Sequence, residues 1–217
     1  DLSDLFKKKI MYTTKIGNES RDFINAVDDF GEPDWKSIDP RSFPQTMPHG
    51  TIYKESPFAP IITTRGCPYS CTYCSAPITA GKKMRYRDPV KVVDEIENLI
   101  NNYGVKEIQI EDDNFTLKRI HAAAVCEEII KRKIKVHWSL PNGVRIDKLD
   151  AELLSLMKKS GCYYIALGIE SANQRILDMI KSQFKTVLLV SHLDSLKDAV
   201  DHQILIEKVD DKAYVNE

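Results

Sequence analysis

Three cysteines lie within eight residues, in Arg65-Gly-Cys-Pro-Tyr-Ser-Cys-Thr-Tyr-Cys74, spaced C-x3-C-x2-C behind the apolar run Ile61-Ile-Thr-Thr64. Thiolates so close together are soft metal ligands, and iron–sulfur clusters are held by such groups. A cubane has about four irons, so Cys67, Cys71 and Cys74 can hold three and leave one open to a small molecule. Gly66 and Pro68 keep the backbone in a loop able to wrap a cluster, which a regular helix or strand does less tightly. The competing reading is a structural zinc site, which wants paired C-x2-C elements and a fourth Cys or His. No second pair exists: Cys126 and Cys162 stand alone in apolar surroundings, and His137 is remote in sequence.

The triplet, with an aromatic (Tyr73) before its third cysteine, closely resembles the signature of the radical S-adenosylmethionine (radical SAM) enzymes. That resemblance implies a 4Fe–4S cluster on Cys67, Cys71 and Cys74 whose open iron chelates the amino and carboxylate groups of S-adenosylmethionine. It further implies reductive cleavage to a 5′-deoxyadenosyl radical, an electron donor such as flavodoxin or ferredoxin, and a small-molecule substrate that the motif does not identify. Asp112 and Asp113 stand where the family places its amino-group contacts, with Glu111-Asp-Asp in place of the usual Gly-Gly-Glu. Glu170 and Ser171 look like the ribose contacts, Tyr73 is placed against adenine, and Arg145 suits the methionine carboxylate or a substrate anion. Each has a plainer alternative: a strand-end turn for Asp112 and Asp113, an N-cap for Ser171, an ion pair with Asp147 or Asp150 for Arg145, simple packing for Tyr73.

The elements that must position these residues alternate strand and helix from Ile61 onward, the pattern of a parallel sheet with helices outside. Strands are expected at Ile61–Thr64, Lys106–Glu111, Val136–Ser139 and Tyr163–Gly168. A helix is expected from Pro89 to Tyr103, capped by Asp88 and stopped by Gly104, with Val93, Ile96 and Ile100 inward. Others run through Ala122, Cys126, Ile129 and Ile130, from Ala151 to Ser160 behind Asp150, and from about Asn173 to Lys181. Four strands then end in polar clusters at one edge, where parallel α/β folds gather ligands. The expected class is α/β, a partial radical SAM (βα) barrel of about four units over residues 57–182.

Residues 1–56 belong to a Pro-rich stretch: six of the ten prolines fall at positions 33, 40, 44, 48, 57 and 60. It reads as a connector laid over a neighbour, with His49 a surface residue. Its Pro33-Asp-Trp35 is similar to the bridge that links an upstream cobalamin domain to the cysteine motif in cobalamin-binding members of the family. That implies cobalamin in the parent family, with its domain expected to be missing, and a cobalamin-dependent methyltransferase or related enzyme. Residues 183–217 have a different character: neither Gly nor Pro occurs there. Phe184-Lys-Thr-Val-Leu-Leu-Val-Ser-His192 resembles the C-terminus of DNA-repair ATPases of the structural-maintenance-of-chromosomes type, including phage recombination nucleases, with His192 as the switch histidine. A phosphate-binding loop is not found, and the expectation is a chimera, with a barrel-completing fifth strand over 186–190 as the alternative.

Composition limits the rest. The 217 residues suffice for one domain or one and a fraction. Thirty-one basic and thirty-two acidic side chains leave a net charge of −1, with no general pull toward nucleic acid or membrane. Lys82, Lys83, Arg85 and Arg87 form the one basic cluster, facing an anion or simply solvent. Five cysteines without a disulfide framework suggest a reducing compartment, by default the cytoplasm. No apolar stretch is long enough to span a membrane, and the start, lacking Met and a signal pattern, reads as mid-protein.

Overall fold

The computed structural model describes residues 27–42, 53–71, 74–168, 205–209 and 212–216. The chain forms two compact units, Asp1–Ala166 and Leu167–Glu217. The first contains α/β architecture with a four-stranded parallel sheet, consistent with a partial radical-SAM-like barrel. Its strands are β1 (Phe58–Ile61), β4 (Glu107–Ile110), β5 (His137–Arg145) and β6 (Cys162–Gly168), in that spatial order. β1 pairs with β4 in the register Ile61 to Ile110, and β4 pairs with β5 from Glu107 and His137 to Gln109 and Ser139. All four residues of β4 are buried, as befits a strand flanked on both sides and covered on both faces. In the second unit β7 (Leu205–Val209) and β8 (Lys212–Asn216) form an antiparallel hairpin.

Helices follow the strands. In α2 (Pro89–Tyr103) the Asp88 carboxylate accepts from Val90 N at 2.8 Å, Pro89 takes the first turn, and Gly104 ends the helix in the left-handed region at φ 66°. Its buried stripe is Val92, Val93, Ile96 and Leu99, while Ile100 stays half-buried. α3 (Arg119–Lys131) buries Ala122, Val125, Cys126 and Ile129; Ile130, expected on that stripe, is exposed because its neighbours one turn apart define the inward face. α4 (Ala151–Lys159) is capped by Asp150, which accepts from Leu153 N at 2.7 Å. α3 packs against both α2 and α4. Among the described residues no helix is long and apolar enough to cross a membrane.

Two strand boundaries differ from expectation, and both matter for the site. β1 ends at Ile61, and Thr64–Arg65 (β2) turns aside to pair antiparallel with Arg85–Tyr86 (β3). β5 runs six residues past Ser139, through Pro141, whose fixed φ suits extended backbone, and so delivers Arg145 to its far end.

The described part of the connector packs on the barrel. Trp35 is buried and its Nε1 donates to Glu95 Oε1 at 3.0 Å. Glu95, fully buried on α2, also pairs with Arg87 at 2.6 Å, and Arg87 donates to Ile62 O. A buried carboxylate is tolerable only with such partners. The sequence places Trp35 in a connector; the structure makes it the lid on a buried ion pair.

Candidate cofactor site

The cysteine loop leaves β2 at the carboxyl edge of the sheet. Gly66 has φ 102°, and a Cβ there would lie 2.4 Å from Lys83 O and 3.0 Å from Gly81 O, so only glycine lets the loop close on the segment that leads into β3. Cys67 N then donates to Gly81 O at 2.9 Å, Cys74 N donates to Cys71 O at 3.2 Å, and Ala76 N reaches Cys74 Sγ at 3.5 Å, at the start of the short helix α1 (Ala76–Thr79). Lys82 Nζ donates to Ser70 Oγ at 2.9 Å and ties the loop's middle to the same segment. All five cysteines are free; Cys71 and Cys74 are exposed and Cys67 is half-buried.

Two strand ends converge on this loop. The Arg145 guanidinium lies over the Tyr69 ring at 4.3 Å while its Nε donates to Asp147 at 2.8 Å. The hydrogen bond to Asp147 holds its pKa above the ordinary value, with smaller contributions from Tyr69 and Cys71. Burial pushes the Cys67 thiol up, and the Asp113 carboxylate and the other two thiols push it further. Asp113 is exposed.

Asp112 behaves differently. It is 2% exposed, and its oxygens accept from Thr63 N at 2.6 Å, Thr64 N at 3.0 Å and Thr63 Oγ1 at 2.5 Å. Desolvation raises its pKa against the opposing effect of these bonds. With the Thr63 and Thr64 N–H groups and the Thr63 hydroxyl as donors, Asp112 makes the strand-end bonds of the plainer alternative for this residue. Thr63 Oγ1 also meets His121 Nε2 at 3.3 Å, and His121 is buried beside Tyr86 and Phe115. Neither Thr63 nor His121 stood out in the sequence, since a threonine in an apolar run and a histidine in a helix carry no local signal. The basic cluster is largely structural: Arg85 is buried and donates to Ala80 O, and Arg87 serves Glu95. Tyr73, Glu170, Ser171, His49 and His192, with the 173–181 helix and the 186–190 strand, lie outside the described residues.

Among the described residues no three His, Cys, Asp or Glu side chains are grouped as a preformed metal site. The donor set nevertheless fits an iron–sulfur cluster: three free thiols on an irregular loop, two of them open to solvent, and among the described residues no histidine is grouped with them to complete a zinc tetrahedron. Cys126 is a core thiol with its pKa pushed up to about 11 by burial, and Cys162, half-buried on β6, is pushed up as well.

A parallel sheet carrying a three-cysteine loop at its carboxyl edge defines a partial α/β barrel segment. The profile of the Radical SAM superfamily matches residues 61–204, and the chain belongs to that superfamily. It is 35% identical over 124 residues to an uncharacterised methyltransferase of Pyrococcus horikoshii, covering 57% of this chain and 27% of that protein. It is 40% identical over 121 residues to the anaerobic magnesium-protoporphyrin IX monomethyl ester cyclase of Cereibacter sphaeroides, covering 55% and 20%. Among solved structures it resembles the radical S-adenosylmethionine methyltransferase TsrM of Kitasatospora setae, determined with cobalamin and a 4Fe–4S cluster bound. The TM-score is 0.50 at 25% identity, over 55% of this chain and 24% of that one. The chain thus spans about a fifth to a quarter of the length of these relatives. The superfamily match runs unbroken across 182–184 to residue 204, so the first two thirds of the supposed ATPase-like tail fall within it, and the comparisons lend the chimera no support.

Proposed function

We propose that the chain is the cluster-holding portion of a radical SAM enzyme of the cobalamin-dependent methyltransferase type. Three free thiols on an irregular loop, with the Arg145 guanidinium over Tyr69 of the same loop, carry this reading, and the resemblance to TsrM supports the cobalamin branch. The cysteines would hold three irons. Asp113 would accept from the ammonium of S-adenosylmethionine, and Arg145, released from Asp147, would pair with its carboxylate through a planar fork. Tyr73, Glu170 and Ser171 are proposed for adenine and ribose on the strength of the family motif. Held by Cys67, Cys71 and Cys74 and reduced by an external donor of flavodoxin or ferredoxin type, a cluster would supply the electron for reductive cleavage of S-adenosylmethionine at its sulfonium. The protein's part is to hold the sulfonium in one orientation and keep water from the radical. Methyl transfer would draw on a corrin held by a further domain.

Anaerobic reconstitution with iron and sulfide should yield about four irons per chain. Replacing Cys67, Cys71 or Cys74 by Ala should abolish uptake, while Cys126→Ala and Cys162→Ala should preserve it. Stoichiometric zinc with no iron uptake would sink the proposal.

A further inference from the structure

We propose that Asp112 is a positioning residue: its carboxylate latches the exit of β1 and thereby sets the start of the cysteine loop, leaving the cofactor's ammonium to Asp113. The proposal rests on the cluster reading above for what the loop holds, but the latch is a property of the protein alone.

Three elements meet at this carboxylate. β1 and β4 end side by side at Ile61 and Ile110, and Glu111 N still donates to Ile61 O at 2.8 Å. One residue further on β4's side, Asp112 Oδ1 takes the two successive N–H groups of Thr63 and Thr64, and Oδ2 takes the Thr63 hydroxyl. These N–H groups are buried, so they need an acceptor, and the carboxylate draws them out of the parallel ladder. The chain leaves the sheet at that point. Thr64–Arg65 pairs instead with Arg85–Tyr86, Gly66 turns against Lys83 and Gly81, and Cys67 is fixed through Gly81 O. From the third element, α3, His121 closes on the Thr63 hydroxyl, which with the carboxylate ionised donates its hydrogen bond to Asp112 Oδ2 and so accepts from Nε2–H. Cys67 lies three residues beyond Thr64 along a path with contacts at each step.

The latch makes a demand on chemistry that differs from that of an ammonium contact. Both backbone donors share one oxygen, Oδ1, which an asparagine also has, and an asparagine NH2 can donate to the Thr63 hydroxyl. Asn should therefore serve as a latch in place of Asp. An ammonium contact needs the negative charge, and there Asn should fail.

The test uses the full chain in four variants: Asp112→Asn, Asp112→Ala, Thr63→Val and Asp113→Asn. In the metal-free protein, iodoacetamide labelling of Cys67, Cys71 and Cys74 is followed by mass spectrometry, with circular dichroism as the measure of folding. Iron uptake and the affinity of the loaded protein for S-adenosylmethionine follow. In Asp112→Ala, labelling of Cys67 should rise roughly tenfold, since two buried donors lose their acceptor, and iron uptake should fall. Thr63→Val, which keeps the backbone donors, should give a smaller rise. Asp112→Asn should match the parent in labelling, iron and affinity, while Asp113→Asn should keep the labelling pattern and iron but bind S-adenosylmethionine more weakly. If Asp112→Ala does not fold, the Asn variant and Thr63→Val still decide the matter by the same readouts. Unchanged Cys67 labelling in a folded Asp112→Ala, or an Asp112→Asn protein that keeps Cys67 protected but loses affinity for S-adenosylmethionine, overturns the latch. A parent chain that takes up no iron defeats the functional reading and leaves the labelling result standing.

Discussion

His121 should make the fold acid-sensitive in a pH range where few other groups act. It is buried against Tyr86 and Phe115, with the Lys118 cation nearby, and desolvation first, then Lys118, lowers its pKa from 6.5 to about 4, while Asp28 opposes them. An unfolded histidine takes a proton near pH 6.5, whereas the folded one resists until about 4. Between these values the unfolded chain binds more protons, so stability rises with pH across the window and the full contribution is present above 6.5. Linkage gives a loss of roughly 1 kcal/mol at pH 6, 2 at pH 5 and 3 at pH 4. Asp34, Asp39, Asp147, Asp150 and Glu128, whose pKa values are lowered in the fold, lose their contributions only at more acid pH. Asp112, with a raised value, acts in the opposite sense and gains on protonation. A difference experiment removes these common terms. Urea unfolding of the parent and of His121→Phe, whose ring suits the aromatic neighbours, should show the parent's stability falling by about 3 kcal/mol more between pH 7.5 and pH 4. Parallel curves would refute a buried, neutral His121.

Arg87→Ala strips the buried Glu95 of its cation and should cost about 3–5 kcal/mol in urea unfolding at pH 7. The Arg87→Met, Glu95→Met pair should recover most of that loss, and a single variant within 1 kcal/mol of the parent would show that the pair bears little load. Gly66→Ala forces a Cβ to 2.4 Å from Lys83 O at a φ of 102°. It should lower iron uptake at least about tenfold with the helical dichroism intact; normal uptake would mean that the loop finds another path to the cluster.

The sequence by itself determined the superfamily motif and the strand–helix alternation. Three thiols in C-x3-C-x2-C mark a candidate ligand set by spacing alone, and Asp88-Pro89 starts and Gly104 stops a helix by purely local bonds, so α2 was legible to the residue. Core positions followed periodicity, which places Val93 and Ile96 correctly but cannot rank Leu99 above Ile100, since both lie near one face and the neighbouring helix decides. What only the tertiary structure decided is how adjacent polar residues divide their work. Asp112 and Asp113 are indistinguishable as letters, yet one is buried against the Thr63 and Thr64 amides and the other is exposed, because β1 ends beside β4 and needs an acceptor there. The same holds for the arginines: Arg87 is taken by a carboxylate eight residues on, and Arg145 reaches the loop because β5 runs past its pairing with β4. Burial sets the cost of leaving a polar group unpartnered, and burial is a property of what packs around a residue, which no short stretch of sequence contains.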